Sequence, residues 1–280
     1  MSGTRDTRCI CGASAFELIF TYLEPPVGEV KFDVGQGHYR REILRCRDCG
    51  HFLSVHDIDM KELYVGHYVN STYGSDGLRA AFARINALAP ARSDNVARVE
   101  RVKRFVSAYF KGRSAGFAPK VLDIGSGLCV FLYRLHKLTG WPCTALDPDP
   151  RAVEHAKTEA GVQAVCADFM QADLPERFDL ITLNKVIEHV LDPVAMLART
   201  ARNLNDGALV YVEVPDGEAA MAEGPGREEF FIDHHHVFSP MSLKIVAEKA
   251  GFEVHVLERL REPSTKFTLR AFLTRSSSIS

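Results

Sequence analysis

The chain reads as an α/β protein: a mostly parallel, doubly wound sheet preceded by a small β-rich domain. Three observations predict this. From Val121 onward, short apolar runs alternate with helical stretches; the first run enters a glycine turn, DIGSG (Asp123–Gly127); and four of the 7 cysteines precede residue 50 in a segment without a long helix. At 280 residues and 46% hydrophobic composition, there is material for one large core plus an appendage.

The elements follow in order. AFELIF, EPPVGEV and HYRREILRCRDCGHF read as strands separated by turns within residues 1–58. KELYVGHYVNSTYGS, rich in Gly, Asn and Ser, reads as a loop or broken helix. SDNVARVERVKRFVSAYF places Val96, Val99, Val102, Phe105, Val106 and Tyr109 at helical spacing, with Ser93 as N-cap. After GRSAGFAPK come VLDIG, LCVFLYRLHKL, CTALD, RAVEHAKTEA, AVCAD, FDLITLN, PVAMLARTARNL and ALVYVEV, strands joined through helices by right-handed crossovers. PMSLKIVAEKAG is then a helix, and FEVHVLERL and KFTLRAFLTR are strands. The expected division is 1–58, a small cysteine-bearing β domain; 59–115, a covering segment with linker helices; and 116–280, the α/β domain.

A formal charge of -2 provides no global field for nucleic acid. No window reaches the ~18 consecutive apolar residues a spanning helix needs, and MSGTRDTRCICG has no apolar leader core, so a cytoplasmic protein with reduced thiols and no membrane partner is expected.

The glycine turn points to a nucleoside ligand. Gly125 and Gly127 let the backbone approach it, Ser126 lies between them, and the following helix start offers unpaired N–H groups. Asp123 stands at the mouth of the strand. Twenty residues beyond Gly127, the next strand ends in Asp147, placed to accept ribose hydroxyls. The third ends in Asp168 and Phe169, an acid and an aromatic at the height of an adenine. Asn184, ending LITLN, reads either as a contact to cofactor or substrate or as a turn cap. A dinucleotide fingerprint wants a third glycine where Val130 stands. In this combination the chain resembles the class I S-adenosylmethionine-dependent methyltransferases over about residues 90–275. The resemblance implies a Rossmann-like seven-stranded sheet with a final antiparallel strand, and S-adenosylmethionine as cofactor.

Cys9 and Cys11 form CxC; Cys46 and Cys49 form CxxC before Gly50. Two thiolate pairs separated by strand-like sequence can close a tetrahedral zinc site of the ribbon type, with His38 or His51 as a substitute for the oddly spaced Cys9; the alternative is four unligated cysteines in a reduced domain. A four-ligand site is closed, so its zinc is structural rather than catalytic. Such a ribbon before a methyltransferase domain resembles the bacterial sugar methyltransferases, notably the deoxysugar C-methyltransferases. That resemblance implies a tyrosine-bearing segment folded over the substrate, with Tyr68 and Tyr73 as candidates, and matches His189, Asp233 and His234 to site residues.

His189 lies in NKVIEHVLDP and Asp233–His236 in EFFIDHHHVFSP, both following strands at the ligand-binding edge. An imidazole with a pKa of about 6.5 accepts a proton from an acceptor at neutral pH, and Asp233 or Glu188 orients it. Consecutive side chains diverge, so the triplet is a poor metal box; His235 and His236 are expected to cap the helix near Pro240 or to pack in the loop. The resemblance stops short of the C-methyltransferases' C-terminal domain, which favours O-methylation of a sugar, nucleotide-linked or at a glycan end. The alternatives are C- or N-methylation of a sugar, an RNA methyltransferase gripping RNA through the ribbon and Arg40, Arg41, Arg45 and Arg47, and a non-catalytic cofactor-binding module.

Overall fold

The computed structural model describes residues 7–29, 39–58, 77–114 and 116–276. Tyr68, Tyr73 and His38 lie outside these, as do residues 59–76 of the expected covering segment. Near the N-terminus are strands β1 (Phe16–Tyr22), β2 (Arg41–Cys46) and β3 (Phe52–His56), then helices α1 (Gly77–Asn86) and α2 (Asp94–Tyr109). The α/β part runs β4 (Val121–Ile124), α3 (Val130–Thr139), β5 (Cys143–Asp147), α4 (Pro150–Thr158), β6 (Gln163–Cys166), β7 (Phe178–Asn184), α5 (Pro193–Arg199) and β8 (Leu204–Pro215). It closes with α6 (Gly217–Met221), β9 (His236–Val237), α7 (Pro240–Lys249), β10 (Phe252–Arg261) and β11 (Phe267–Arg275).

Seven strands form one sheet in the order β10-β11-β8-β7-β4-β5-β6. From β8 to β6 the pairs are parallel; β11 runs antiparallel between β8 and β10. The central strands are buried on both faces, and alternate residues serve opposite cores. Val210, Val212 and Val214 of β8 join Met196, Leu197, Leu243 and Val246 of α5 and α7, whereas Leu209 and Tyr211 join Val99, Val102, Leu132 and Leu135 of α2 and α3. After β6 the chain returns to the other side of β4, so the strand order reverses between β4 and β7, the point at whose carboxyl ends open α/β sheets form their ligand crevice.

Three local expectations change. The run EPPVGEV is no strand over its described residues 24–29, which form bends and turns around Pro25 and Pro26. Ser93 precedes α2 as expected, but its side chain makes no cap hydrogen bond. The helix at Pro240 is capped by Ser239 and Ser242 in a reciprocal capping box, and His236 instead belongs to β9.

The small sheet is β1-β2-β3-β9, so its fourth strand comes from the far side of the sequence. Leu53 pairs with His236 and Phe52 with Val237. The seam is polar and buried: His51 Nε2 lies 2.9 Å from His236 Nδ1, and Ser239 Oγ donates to Cys49 O at 2.5 Å. No helix among the described residues is long and apolar enough to cross a membrane.

Candidate active site

The glycine turn is held from below. Gly125 N–H donates to Leu146 O at 2.8 Å, and Asp147 accepts from Gly127 N–H and Asp149 N–H, both at 2.9 Å. Gly125 has φ +68, and a Cβ there would meet Val186 Cγ2 at 2.9 Å, so both backbone and space require glycine. Ser126, between the glycines, donates its N–H to Leu146 O at 3.3 Å.

Asp123 faces Thr182 across the β4–β7 register and is buried. Thr182 Oγ1 donates to its Oδ1 at 2.5 Å and Asn184 Nδ2 at 2.8 Å. Burial pushes the Asp123 carboxyl up to about 6 against the opposing effect of those two donors. Asn184, a strand-end cofactor candidate, thereby keeps its Oδ1 buried and without a partner among the described residues. Burial also raises Asp147. The positive-φ glycine and the orphaned Asn184 oxygen at the crevice fit a nucleoside bearing a cationic amino-acid end.

The pair at the end of β6 divides. Asp168 is exposed, its Oδ1 accepting Met170 N–H at 2.9 Å. Phe169 is 3% exposed and packs with Leu146, Leu183 and Ile187, the Arg199 guanidinium 5.6 Å from its ring centre. Its ring is therefore part of the core rather than an open stacking face.

The histidines converge. A 3-10 turn, Ile187–His189, follows β7, and a second, Glu228–Phe230, precedes the triplet. The rings of His189 and His234 meet edge to face with centroids 4.9 Å apart. His189 Nδ1 lies 2.8 Å from Asp233 O and 3.8 Å from Asp233 Oδ2; His234 Nδ1 lies 2.8 Å from Glu229 O. A carbonyl only accepts, so Nδ1 carries the proton in each neutral ring and the lone pair sits on Nε2. Burial pushes the Asp233 carboxyl up, but His234, His189, a backbone hydrogen bond and Arg41 together outweigh it and hold the carboxyl below the usual carboxylate range. His235 donates its N–H to Glu188 O at 2.9 Å, tying the two segments together.

The N-terminal sheet holds this loop. Arg41, fully buried, donates to Phe230 O and, at 2.9 Å, to Glu29 Oε2, which also accepts Ile232 N–H at 2.8 Å. Tyr39 donates to Glu29 Oε1 at 2.5 Å.

The four clustered cysteines meet as the sequence anticipates. Cys9 and Cys49 Sγ are 3.5 Å apart, Cys11 and Cys46 Sγ 3.6 Å, and all four lie within 4.8 Å of one another. Zinc–sulfur bonds of about 2.3 Å place tetrahedral sulfurs roughly 3.8 Å apart, so the donor set fits zinc. His51 is turned toward His236 and Ser242, which leaves Cys9 as the fourth member of the cluster.

Sequence reasoning overlooked a second polar group beside the crevice. Arg98 of α2 grips Glu213 of β8 with two N–H groups, one at 2.8 Å, and Tyr211 donates to the same carboxylate at 2.7 Å. Lys185 Nζ donates to Thr268 Oγ1 at 2.8 Å, and Glu262 is buried nearby, 4.0 Å from Arg98. The one sequence signal was Glu213, a charge inside the apolar run ALVYVEV.

A family model described as a methyltransferase domain matches residues 73–257. Among curated relatives, the ubiquinone biosynthesis O-methyltransferase of Klebsiella pneumoniae is 28% identical over 121 residues, 40% of this chain and 50% of that protein. The mitochondrial enzyme of the same description from Schizosaccharomyces pombe is 32% identical over 97 residues, 32% of this chain and 35% of its own. The chain thus spans half or less of the length of these relatives. Among solved structures, magnesium protoporphyrin IX methyltransferase from Synechocystis PCC 6803, with bound S-adenosylhomocysteine, superposes with a TM-score of 0.56 at 14% identity, over 78% of this chain and 100% of that one. The Burkholderia thailandensis 1,6-didemethyltoxoflavin-N1-methyltransferase gives 0.55 at 16% identity, over 89% and 100%. These likenesses establish the shared fold.

Proposed function

Because this chain belongs to the methyltransferase domain family and is an S-adenosylmethionine-dependent methyltransferase, we propose that it transfers the methyl group to a sugar hydroxyl, on a nucleotide-linked sugar or at a glycan end. The observation that carries this is the His189–His234 pair, edge to face at 4.9 Å, beyond the carboxyl end of β7. S-adenosylmethionine supplies a methyl group already activated on a sulfonium. What remains for the chain is to align the acceptor and remove its proton.

The residues divide that work. The turn at Gly125–Gly127 and Asp147 seat the nucleoside, Asp147 toward the ribose; Asp168 stands at the adenine end, with Phe169 backing it from the core. Asp123 holds the Asn184 amide so that its oxygen faces the amino-acid end. Nε2 of His189 or His234 accepts the hydroxyl proton, and Asp233, kept ionised beside both rings, stabilises the imidazolium that forms. Tyr68 and Tyr73 are proposed to close over the acceptor. The Cys9, Cys11, Cys46 and Cys49 cluster would hold a structural zinc, a reduced-thiol site suited to the cytoplasm.

Two further points support a hydroxyl on a small acceptor. The curated relatives are O-methyltransferases. Of the four arginines that an RNA-gripping ribbon would use, Arg41 is buried on Glu29, and Arg40 and Arg45 pair with Glu42 and Glu218. The test is transfer from labelled S-adenosylmethionine to a panel of nucleotide sugars and glycans, with the methyl located by mass spectrometry. His234→Ala and His189→Ala should lower turnover by roughly 10²–10⁴-fold while S-adenosylhomocysteine still binds. Label appearing only in RNA or protein fractions would overturn the sugar reading.

A further inference from the structure

We propose that Glu188, His189 and His234 form a binding site for one divalent first-row transition metal ion at the acceptor's edge of the crevice. The expected metal box, the consecutive triplet, is not the constellation the fold assembles. Instead one carboxylate and one imidazole from the turn after β7 meet one imidazole from the loop before β9, their ligand atoms all within 4.8 Å of one another.

Three features point to a ligand there. Glu188 is 0% exposed, and neither of its carboxylate oxygens accepts a hydrogen bond from any described residue. A buried carboxylate left in that state is costly unless something cationic or protic meets it, and the nearby charges of His189 and Lys185 donate no hydrogen bond to it. Both imidazoles hold the tautomer that metal ligands use: Nδ1 of each is tied to a backbone carbonyl at 2.8 Å, Asp233 O for His189 and Glu229 O for His234, which puts the lone pair on Nε2. Finally, two imidazoles and a carboxylate are the donor set of zinc, manganese, iron, cobalt or nickel rather than of calcium or magnesium.

This rests on the function proposed above only for the place of the acceptor, and it gives the two imidazoles a different role there, as ligands of the ion. Three protein ligands leave coordination positions for an acceptor hydroxyl, whose oxygen would then release its proton to water more readily. The two imidazoles would act through the ion instead of as bare bases.

Titration of the full chain, zinc-loaded at its cysteines, with Mn²⁺ followed by electron paramagnetic resonance tests the site without cofactor or acceptor. Manganese is chosen because it takes nitrogen and oxygen ligands and shuns the thiolates. The wild type should bind one Mn²⁺, and Glu188→Gln and His234→Ala should each weaken it ~10-fold or more while binding S-adenosylhomocysteine unchanged by calorimetry. His255→Ala, an exposed histidine on β10, should leave Mn²⁺ binding as it was. A wild type with no stoichiometric Mn²⁺, or cofactor-competent Glu188→Gln and His234→Ala variants that bind it as tightly, would overturn the proposal. Methyl label on a non-sugar acceptor would sink the sugar reading and leave this titration untouched.

Discussion

Arg98 and Glu213 form a bidentate ion pair within the core face of the sheet, the guanidinium delivered by helix α2 and the carboxylate by the last turn-ward stretch of β8. The pair stitches the helix preceding the α/β domain to the end of β8, and Tyr211 adds a third hydrogen bond to it. Removing one partner leaves the other charge stranded. Arg98→Ala is therefore expected to lose about 3–5 kcal/mol of stability in urea unfolding, while the double change Arg98→Met, Glu213→Leu should lose much less. Equal losses would mean that helix packing, not charge compensation, sets the cost.

Glu262 makes stability fall as pH rises. Burial first, and then the Glu213 charge, push its carboxyl from an ordinary 4.5 up to about 7, although Arg98 opposes them. Between those values the folded protein keeps a proton that the unfolded chain has released, so stability is greatest below about 4.5 and is lost as pH climbs to about 7. The contribution is at most about 3 kcal/mol. Glu262→Gln should remove this component, seen as a shallower fall of the unfolding midpoint with pH over that window; an unchanged slope would assign the titration elsewhere.

Gly125→Ala probes the DIGSG turn, proposed above to seat the cofactor. The added methyl meets Val186 at 2.9 Å in a backbone held at φ +68. A loss of about 1–3 kcal/mol in stability and a weaker fit for S-adenosylhomocysteine are expected together. The double variant Gly125→Ala, Val186→Ala relieves the clash but not the backbone, so it should recover only part of the loss.

Cys46→Ser tests the cysteine cluster. With one sulfur gone from a set whose members lie 3.5–3.6 Å apart in pairs, bound zinc measured by atomic emission should drop from one per chain toward zero. The cluster adjoins Ser239 and the His51–His236 contact, so turnover should fall along with the melting temperature. Full zinc in this variant would remove Cys46 from the ligand set.

Much of this was legible in the chain because it is local. The alternation of apolar runs and helical spacing carries the doubly wound sheet, since a strand buried on both faces and a helix buried on one leave different periods in the residues. The DIGSG turn announced itself because only glycine tolerates its backbone. The cysteines and His189, Asp233 and His234 stood out because their chemistry is rare, although the roles given to the histidines came from resemblance rather than spacing.

What tertiary structure alone decided is which distant groups share a dry space. No local pattern says that Arg98 meets Glu213, that β9 completes the N-terminal sheet, that Phe169 turns into the core, or that Glu188 ends with its oxygens unaccompanied beside two imidazoles. Those outcomes belong to strand order. A sheet whose strand order reverses between β4 and β7 brings loops from separate parts of the chain to one edge, and burial there sets charges whose partners are dozens of residues away.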